Sequence, residues 1–312
     1  MGETMKKNIA LIGLGVIGAP IAHILRKKYK DNFYLIAKGE IKQNLEKANY
    51  KINNEEFAPK IISSACQLEN EIDLIIVCVK NYQLDGAIED IAEFVGEKTV
   101  ILPLQNGLCS YDCFCEKFSN NIILKGYIQG PNTEFSGSEI VYKNSGEMHI
   151  GDEVNTPIAI EVYNIFNDAG FPVIFENNIN YMVWKKWMLN VAGNSVTALT
   201  NADYSMFKNS LELQNLCRKT MEEFCRIAAC VGVELDNNDI DDVINYYLTY
   251  KGGKKTSMLV DVENKRKTEN DYLAGYAFKI AKKYNIDAPM IYTLYNLIAI
   301  KENIYRDLIE RD

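Results

Sequence analysis

The chain has 312 residues, eight cysteines and a formal net charge of -8. That length suits two domains, and a 47% hydrophobic content supplies ordinary cores and argues against disorder. The acidic balance gives no basic footprint for nucleic acid, so an anionic ligand would be held by a few placed cations and backbone N–H groups. No apolar run approaches the ~20 residues of a membrane span, and no export signal precedes the first apolar strand, so a cytoplasmic protein with reduced thiols is expected.

The first part alternates short apolar runs with helical patterns. Strands are predicted at Ile9–Ile12, Phe33–Ala37, Leu74–Val79 and Thr99–Leu104, with helices at Ile17–Lys28 and Leu84–Phe94. The run LIIVCV at 74–79 is apolar throughout, as a parallel strand buried on both faces must be. Further strands are expected at Ile122–Tyr127, Ile140–Tyr142, Met148–Ile150 and Val173–Phe175, with a helix from Ile158 to Ala169 stopped by Gly170. From about Asn178 strand signals vanish. Helices are predicted at Asn180–Leu199, Leu211–Val231, Asp239–Tyr250, Thr268–Tyr284 and Pro289–Arg306, with a break at Gly252-Gly253. The fold expected is α/β: an N-terminal Rossmann-type doubly wound sheet over residues 1–177, followed by an all-helical C-terminal domain over 178–312.

Gly13-Leu14-Gly15-Val16-Ile17-Gly18 follows a predicted strand and opens a predicted helix. In that context the first glycine permits a tight turn, the second lets a pyrophosphate approach the backbone, and the third allows close helix–strand packing. The free N–H groups at the helix start favour an anion. At the end of the second strand, where an NAD enzyme places an acid for the ribose hydroxyl, the sequence reads Ala37-Lys38-Gly39. Lys38 is either the partner of a 2′-phosphate, which makes the cofactor NADP (NADPH), or a solvated loop lysine. Lys80 and Asn106 each follow a predicted strand, where open α/β sheets bind ligands; the alternative for both is a turn residue.

Lys186, Asn190 and Asn194 are spaced i, i+4, i+8 on a helix that is otherwise mostly apolar. Buried polar side chains need partners, so an amine and two amides in a row read as the wall of a polar cleft. Ser257 is a candidate donor to a carboxylate. Glu269 sits where a first-turn acid would favour a helix dipole, and that bland reading is preferred from the residues alone. His23 and His149 have no nucleophile constellation around them. Cys66, Cys78, Cys217, Cys225 and Cys230 read as small core residues, and Cys109, Cys113 and Cys115 lack a fourth ligand for zinc, so no metal is expected.

These motifs, in this order and over essentially the whole chain, resemble the 2-dehydropantoate 2-reductase (ketopantoate reductase) family. The resemblance rests on the GLGVIG turn, Lys80, Leu104-Gln105-Asn106-Gly107, Lys186-x3-Asn190-x3-Asn194-x2-Thr197-Ala198, Ser257-Met258-x2-Asp261 and Thr268-Glu269. It implies reduction of ketopantoate to pantoate with NADPH, on the route to pantothenate and coenzyme A. It implies Lys186 as the catalytic lysine and proton donor, and Asn190, Asn194 and Ser257 as holding the substrate. Asn106 would lie beside both nicotinamide and substrate, Glu269 would close the site next to both cofactor and catalytic lysine, and Lys80 would contact cofactor. Lys38 departs from the family's usual arginine, replacing a bidentate fork with a point charge. Tyr204 falls where some members contribute a further polar substrate contact. The alternatives are an NADP-dependent reductase of another small 2-keto acid in the same fold, and a non-catalytic NADP-binding sensor, which has no need of Lys186 and Glu269. The helical part is apolar enough for a homodimer interface, a feature that sequence does not separate from an internal core.

Overall fold

In a computed structural model, residues 7–249 and 253–309 are described, with side chains through 306. Tyr250 and Gly252, which belong to the predicted helix end and break, lie outside the described residues. The chain divides into two compact units: Met1–Gln105 with Ser110–Asn180, and Asn106–Cys109 with Tyr181–Asp312.

In the first unit the elements run β1 (Ile9–Ile12), α1 (Gly18–Tyr29), β2 (Phe33–Ile36), α2 (Gly39–Lys47), β3 (Lys51–Ile52), β4 (Glu55–Glu56), β5 (Lys60–Ile62), β6 (Leu74–Val77), α3 (Leu84–Ile91) and β7 (Val100–Pro103). They continue with α4 (Cys109–Lys117), β8 (Lys125–Gln129), β9 (Asn132–Ser136), β10 (Glu139–Asn144), β11 (Glu147–Gly151), α5 (Thr156–Ala169) and β12 (Val173–Phe175). The central sheet is parallel with order β5-β2-β1-β6-β7. Strand order reverses between β1 and β6, so their carboxyl ends form the switch point where such sheets bind ligands. Both faces are covered. Ile9 and Leu11 pack with Leu25 and Phe166 on one side, and Ala10 and Ile12 with Leu84, Ile91 and Phe94 on the other. That double burial is why β1 and β6 read as unbroken apolar runs.

Two smaller sheets complete the unit, β4-β3-β10-β9 and β12-β11-β8. The apolar run predicted as one strand at 122–127 serves two partners. Ile123 bridges Ile101 of β7, and the chain then pairs antiparallel with β11 from Lys125 onward. Gly170 ends α5 in the left-handed region (φ 80°), as its sequence position predicts.

The second unit is helical: α6 (Ile179–Thr200, from the end of the first unit), α7 (Leu211–Ala229), α8 (Asn237–Thr249), α9 (Ser257–Glu263), α10 (Ala274–Lys283) and α11 (Pro289–Ile309). Trp184 and Trp187 of α6 pack on Phe224 of α7. Buried Glu223 accepts from the backbone N–H groups of Met290 and Ile291, both at 2.9 Å, and so caps the start of α11. The helix expected at Thr268–Tyr284 is broken. Residues 270–272 form a 3-10 turn, and α10 starts only at Ala274. The side chains near the break compete with the helix: Thr268 Oγ1 accepts from the Asn270 N–H (3.2 Å), and Asn270 Nδ2 donates to the Tyr295 carbonyl (2.9 Å). Glu269 therefore precedes a short turn and does not occupy the first turn of a long helix.

Cys66 is exposed, in a 3-10 turn, which corrects its reading as a core residue. Among the described residues no helix is long and apolar enough to cross a membrane.

Candidate active site

The glycine turn of the first unit has the stereochemistry its sequence demands. Gly13 sits at φ 97°, and a Cβ there would lie 2.5 Å from the Val79 nitrogen. A Cβ on Gly18 would lie 1.9 Å from the Gly13 carbonyl oxygen, so that helix start cannot approach the strand with any other residue. Gly15 faces open space. Leu14 and Ile17 are partly buried, Val16 is exposed, and no acid occupies the first turn of α1. A bare backbone at the N-terminus of a helix, at the sheet's switch point, is the cradle a pyrophosphate requires, so these residues fit a dinucleotide. Lys80 follows β6 on the same edge of the sheet, partly buried, its N–H donating to Gln83 Oε1 at 3.2 Å.

Lys38 caps the start of α2. Its Nζ lies 2.8 Å from Glu93 Oε1 and 4.0 Å from Asp90 Oδ1, and 5.9 Å from the centre of the Phe94 ring. The second Glu93 oxygen accepts from the Ala65 N–H at 2.9 Å. The hydrogen bond from Lys38, helped by those from Ala65 and Ser64, holds the Glu93 carboxyl down at about 2. No sequence signal pointed to Glu93, because it meets Lys38 from 55 positions away. Gln105, at the end of β7, is buried with neither side-chain nitrogen nor oxygen bonded within the described residues. A cavity of about 270 Å³ in this unit is lined by Leu14, Leu35, Tyr50, Phe57 and Ile61, with Glu46 and Glu56. Apart from Leu14 it contains none of the predicted site residues.

In the second unit, α6 supplies the polar row. Asn190 and Asn194 are 6% and 3% exposed, which makes their partners obligatory. Asn190 Nδ2 donates to Asn106 Oδ1 at 3.3 Å, and Asn106 Nδ2 donates to Glu269 Oε2 at 3.3 Å. Thus three residues picked from distant parts of the sequence form one chain of hydrogen bonds, with Glu269 buried. Thr197 Oγ1 lies 2.7 Å from Thr256 Oγ1, and Thr256 caps α9 by accepting from the Leu259 N–H at 3.2 Å. This pair ties α6 to the start of α9, where Ser257 is the first residue and is exposed.

Adjacent lysines on α6 have opposite electrostatics. Lys185 is bonded to Asp239 (2.9 Å) and Asp242 (2.6 Å); burial alone would lower its pKa, but these carboxylates outweigh it and raise it. Among the described residues no carboxylate pairs with Lys186. Burial first, and the charge of Lys254 second, lower its pKa to about 8. Lys254 carried no sequence signal of its own. A lysine with its pKa lowered toward neutrality, on the same helix row as two buried amides, can polarise a carbonyl oxygen and hand it a proton.

Comparisons with known proteins identify the family. The family profile described as ketopantoate reductase PanE/ApbA matches residues 9–155, and that for the ketopantoate reductase PanE/ApbA C terminal matches residues 178–302. An uncharacterized oxidoreductase, YkpB of Bacillus subtilis, is 25% identical over 292 residues, 91% of this chain and 95% of its own length. The 2-dehydropantoate 2-reductase of Pyrococcus abyssi is 26% identical, over 94% of this chain and 97% of the relative. Among solved structures, a D-mandelate dehydrogenase with NADH and anilino(oxo)acetate superposes with a TM-score of 0.82 at 23% identity, covering 96% of this chain and 99% of that one. Two profiles of one family, in order along the chain, leave no large segment unassigned: the chain belongs to the ketopantoate reductase family of oxidoreductases.

Proposed function

We propose that this protein reduces 2-dehydropantoate to pantoate with NADPH, Lys186 being the proton donor. The observation that carries the reading is the state of Lys186: pKa lowered to about 8, with no acidic partner among the described residues, on the same helix row as Asn190 and Asn194. The reading takes residues 1–177 as the nucleotide-binding part and 178–312 as the part that holds substrate.

When bound, the nicotinamide supplies a hydride to the C2 carbonyl carbon. The chain's own task is to manage the charge that then develops on the carbonyl oxygen. Lys186 as an ammonium stabilises that oxygen and then gives it the proton. A pKa near the working pH suits this, since a donor held at the ordinary lysine value would part with its proton less readily. Asn190 and Asn194 offer amide donors to the substrate, and Ser257 a hydroxyl to its carboxylate. Asn106, itself bonded to Glu269, fixes the Asn190 amide, and Glu269 would accept from a substrate hydroxyl. Gly13 to Gly18 present backbone N–H groups to the dinucleotide, and Lys38 and Lys80 bring positive charge to its phosphates.

A second reading keeps the reaction type and changes the keto acid. The fold is shared with a D-mandelate dehydrogenase, so architecture alone does not choose the side chain of the substrate. The experiment that separates the two is the rate of NADPH oxidation with 2-dehydropantoate against a panel of other 2-keto acids, including phenylglyoxylate. The proposal requires the highest kcat/KM for 2-dehydropantoate.

A further inference from the structure

Lys38 is the residue that would choose between NADPH and NADH, but it is already engaged. Three elements converge on it at one corner of the parallel sheet. It follows β2 itself, whose extension pairs with β5 through the Ala37 N–H and Ile62 carbonyl (3.0 Å). Ser63, Ser64 and Ala65 leave β5, held by the Gln67 side chain. The turn at 92–94, ending α3, brings Glu93. Glu93 bridges the first two, taking Lys38 on one oxygen (2.8 Å) and the Ala65 N–H on the other (2.9 Å), with Asp90 at 4.0 Å from the same ammonium. The other cation on this corner, Lys42, is turned to Ser63 (3.3 Å) and Glu46 (3.6 Å).

We infer that Glu93, supported by Asp90, is a specificity-determining residue for the cofactor: by holding Lys38 it competes with a 2′-phosphate and narrows the preference for NADPH over NADH. The inference rests on the dinucleotide-binding reading above. A 2′-phosphate monoester carries close to two negative charges at neutral pH. Bringing it to Lys38 means either breaking the Lys38–Glu93 pair or placing the phosphate beside two carboxylates that share one ammonium. A guanidinium has five donors in a planar fork and can serve a carboxylate and a phosphate together, whereas an ammonium is a single point charge. A ribose with a free 2′-hydroxyl meets no such conflict, because the pair stays intact and a carboxylate is the partner a ribose hydroxyl takes in NAD enzymes. Glu93 stays ionised at any working pH, so the competition is not relieved by mild acid. The Lys38 and Glu93 side chains are 32% and 38% exposed, which sets the effect at that of a surface ion pair.

The test is calorimetric titration of the full chain with adenosine 2′,5′-bisphosphate and 5′-AMP, and with NADPH and NADH, for the native protein, Glu93→Gln, Lys38→Ala and the double variant. Glutamine keeps an acceptor for the Ala65 N–H. Glu93→Gln is expected to raise the affinity ratio of the 2′-phosphorylated over the unphosphorylated ligand by about 3–5-fold, with no gain once Lys38 is alanine. Asp90→Asn, which leaves the Ala65 contact untouched, should move the ratio the same way by less, and it serves as the test if Glu93→Gln does not fold. An unchanged or lower ratio overturns the inference and leaves Glu93 as a residue that merely positions Lys38. A gain of equal size without Lys38 also overturns it, since the effect is then general charge. Absence of binding by all four ligands overturns the dinucleotide reading itself, and the inference with it.

Discussion

The side-chain amide of Asn106 donates to the Glu269 carboxylate, Nδ2 to Oε2 at 3.3 Å, while its oxygen accepts from Asn190 at 3.3 Å. One amide thus orients an acid 163 positions away and the middle residue of the α6 row. Asn106→Ala removes both bonds in a buried network, and the expected loss is about 1–3 kcal/mol of stability, read as a lowered midpoint in denaturant. A change below about 0.5 kcal/mol contradicts a network that matters to the fold.

Ser257 opens α9, on a helix start held to α6 by the Thr197–Thr256 pair. With its hydroxyl assigned to the substrate carboxylate, Ser257→Ala should raise KM for the keto acid by about 3–10-fold, the worth of one hydrogen bond of about 0.5–1.5 kcal/mol, and leave the Kd for NADPH unchanged. Loss of NADPH binding in this variant would place Ser257 at the cofactor.

The pH dependence follows from Lys186. The donor must be protonated, and its pKa is lowered to about 8. In the reductive direction kcat/KM should be flat below about pH 8 and fall about tenfold per pH unit above it. The charge of Lys254 is one cause of the lowering, so Lys254→Met should move the break to higher pH. A profile with no break between pH 7 and 9.5 contradicts the assignment.

The same lowering has a thermodynamic side. An ordinary lysine in the unfolded chain binds its proton more tightly than folded Lys186 does. Charged Lys186 is therefore destabilising in full below about pH 8, and the effect fades as pH rises from there toward the unfolded value of 10.5. Lys186→Met should be more stable than the native protein at pH 7, by on the order of 2 kcal/mol, with the advantage shrinking by pH 10. A variant less stable at pH 7 would show that Lys186 makes contacts that matter more than its charge.

What the sequence made legible was whatever depends on local pattern. Strands β1 and β6 are apolar on both faces, so their runs announce a parallel sheet, and the turn at Gly13–Gly18 is fixed by contacts only glycine tolerates. The row Lys186, Asn190, Asn194 follows from helical spacing. Helix α2 was missed because it is short, buries no residue and has only Ile41 and Leu45 as an apolar pair, and β9 because it is mostly exposed. The break after Glu269 was missed because Thr268 and Asn270 bond locally in ways that periodicity does not register. The partners that tune the site are non-local: Glu93 on Lys38, Lys254 near Lys186, and the carboxylates that distinguish Lys185 from its neighbour. Nothing in the spacing of Lys185-Lys186 says which of the two is held by acids.

The central claim is that Lys186 delivers the proton, and saturation kinetics of Lys186→Ala test it most directly. With NADPH and 2-dehydropantoate both saturating, kcat should fall about 10²–10⁴-fold, as for loss of a general acid, while the Kd for NADPH and the folded state are retained. A kcat within threefold of the native value, whatever the change in KM, would contradict the proton-donor role and leave Lys186 as a binding residue for the substrate carboxylate.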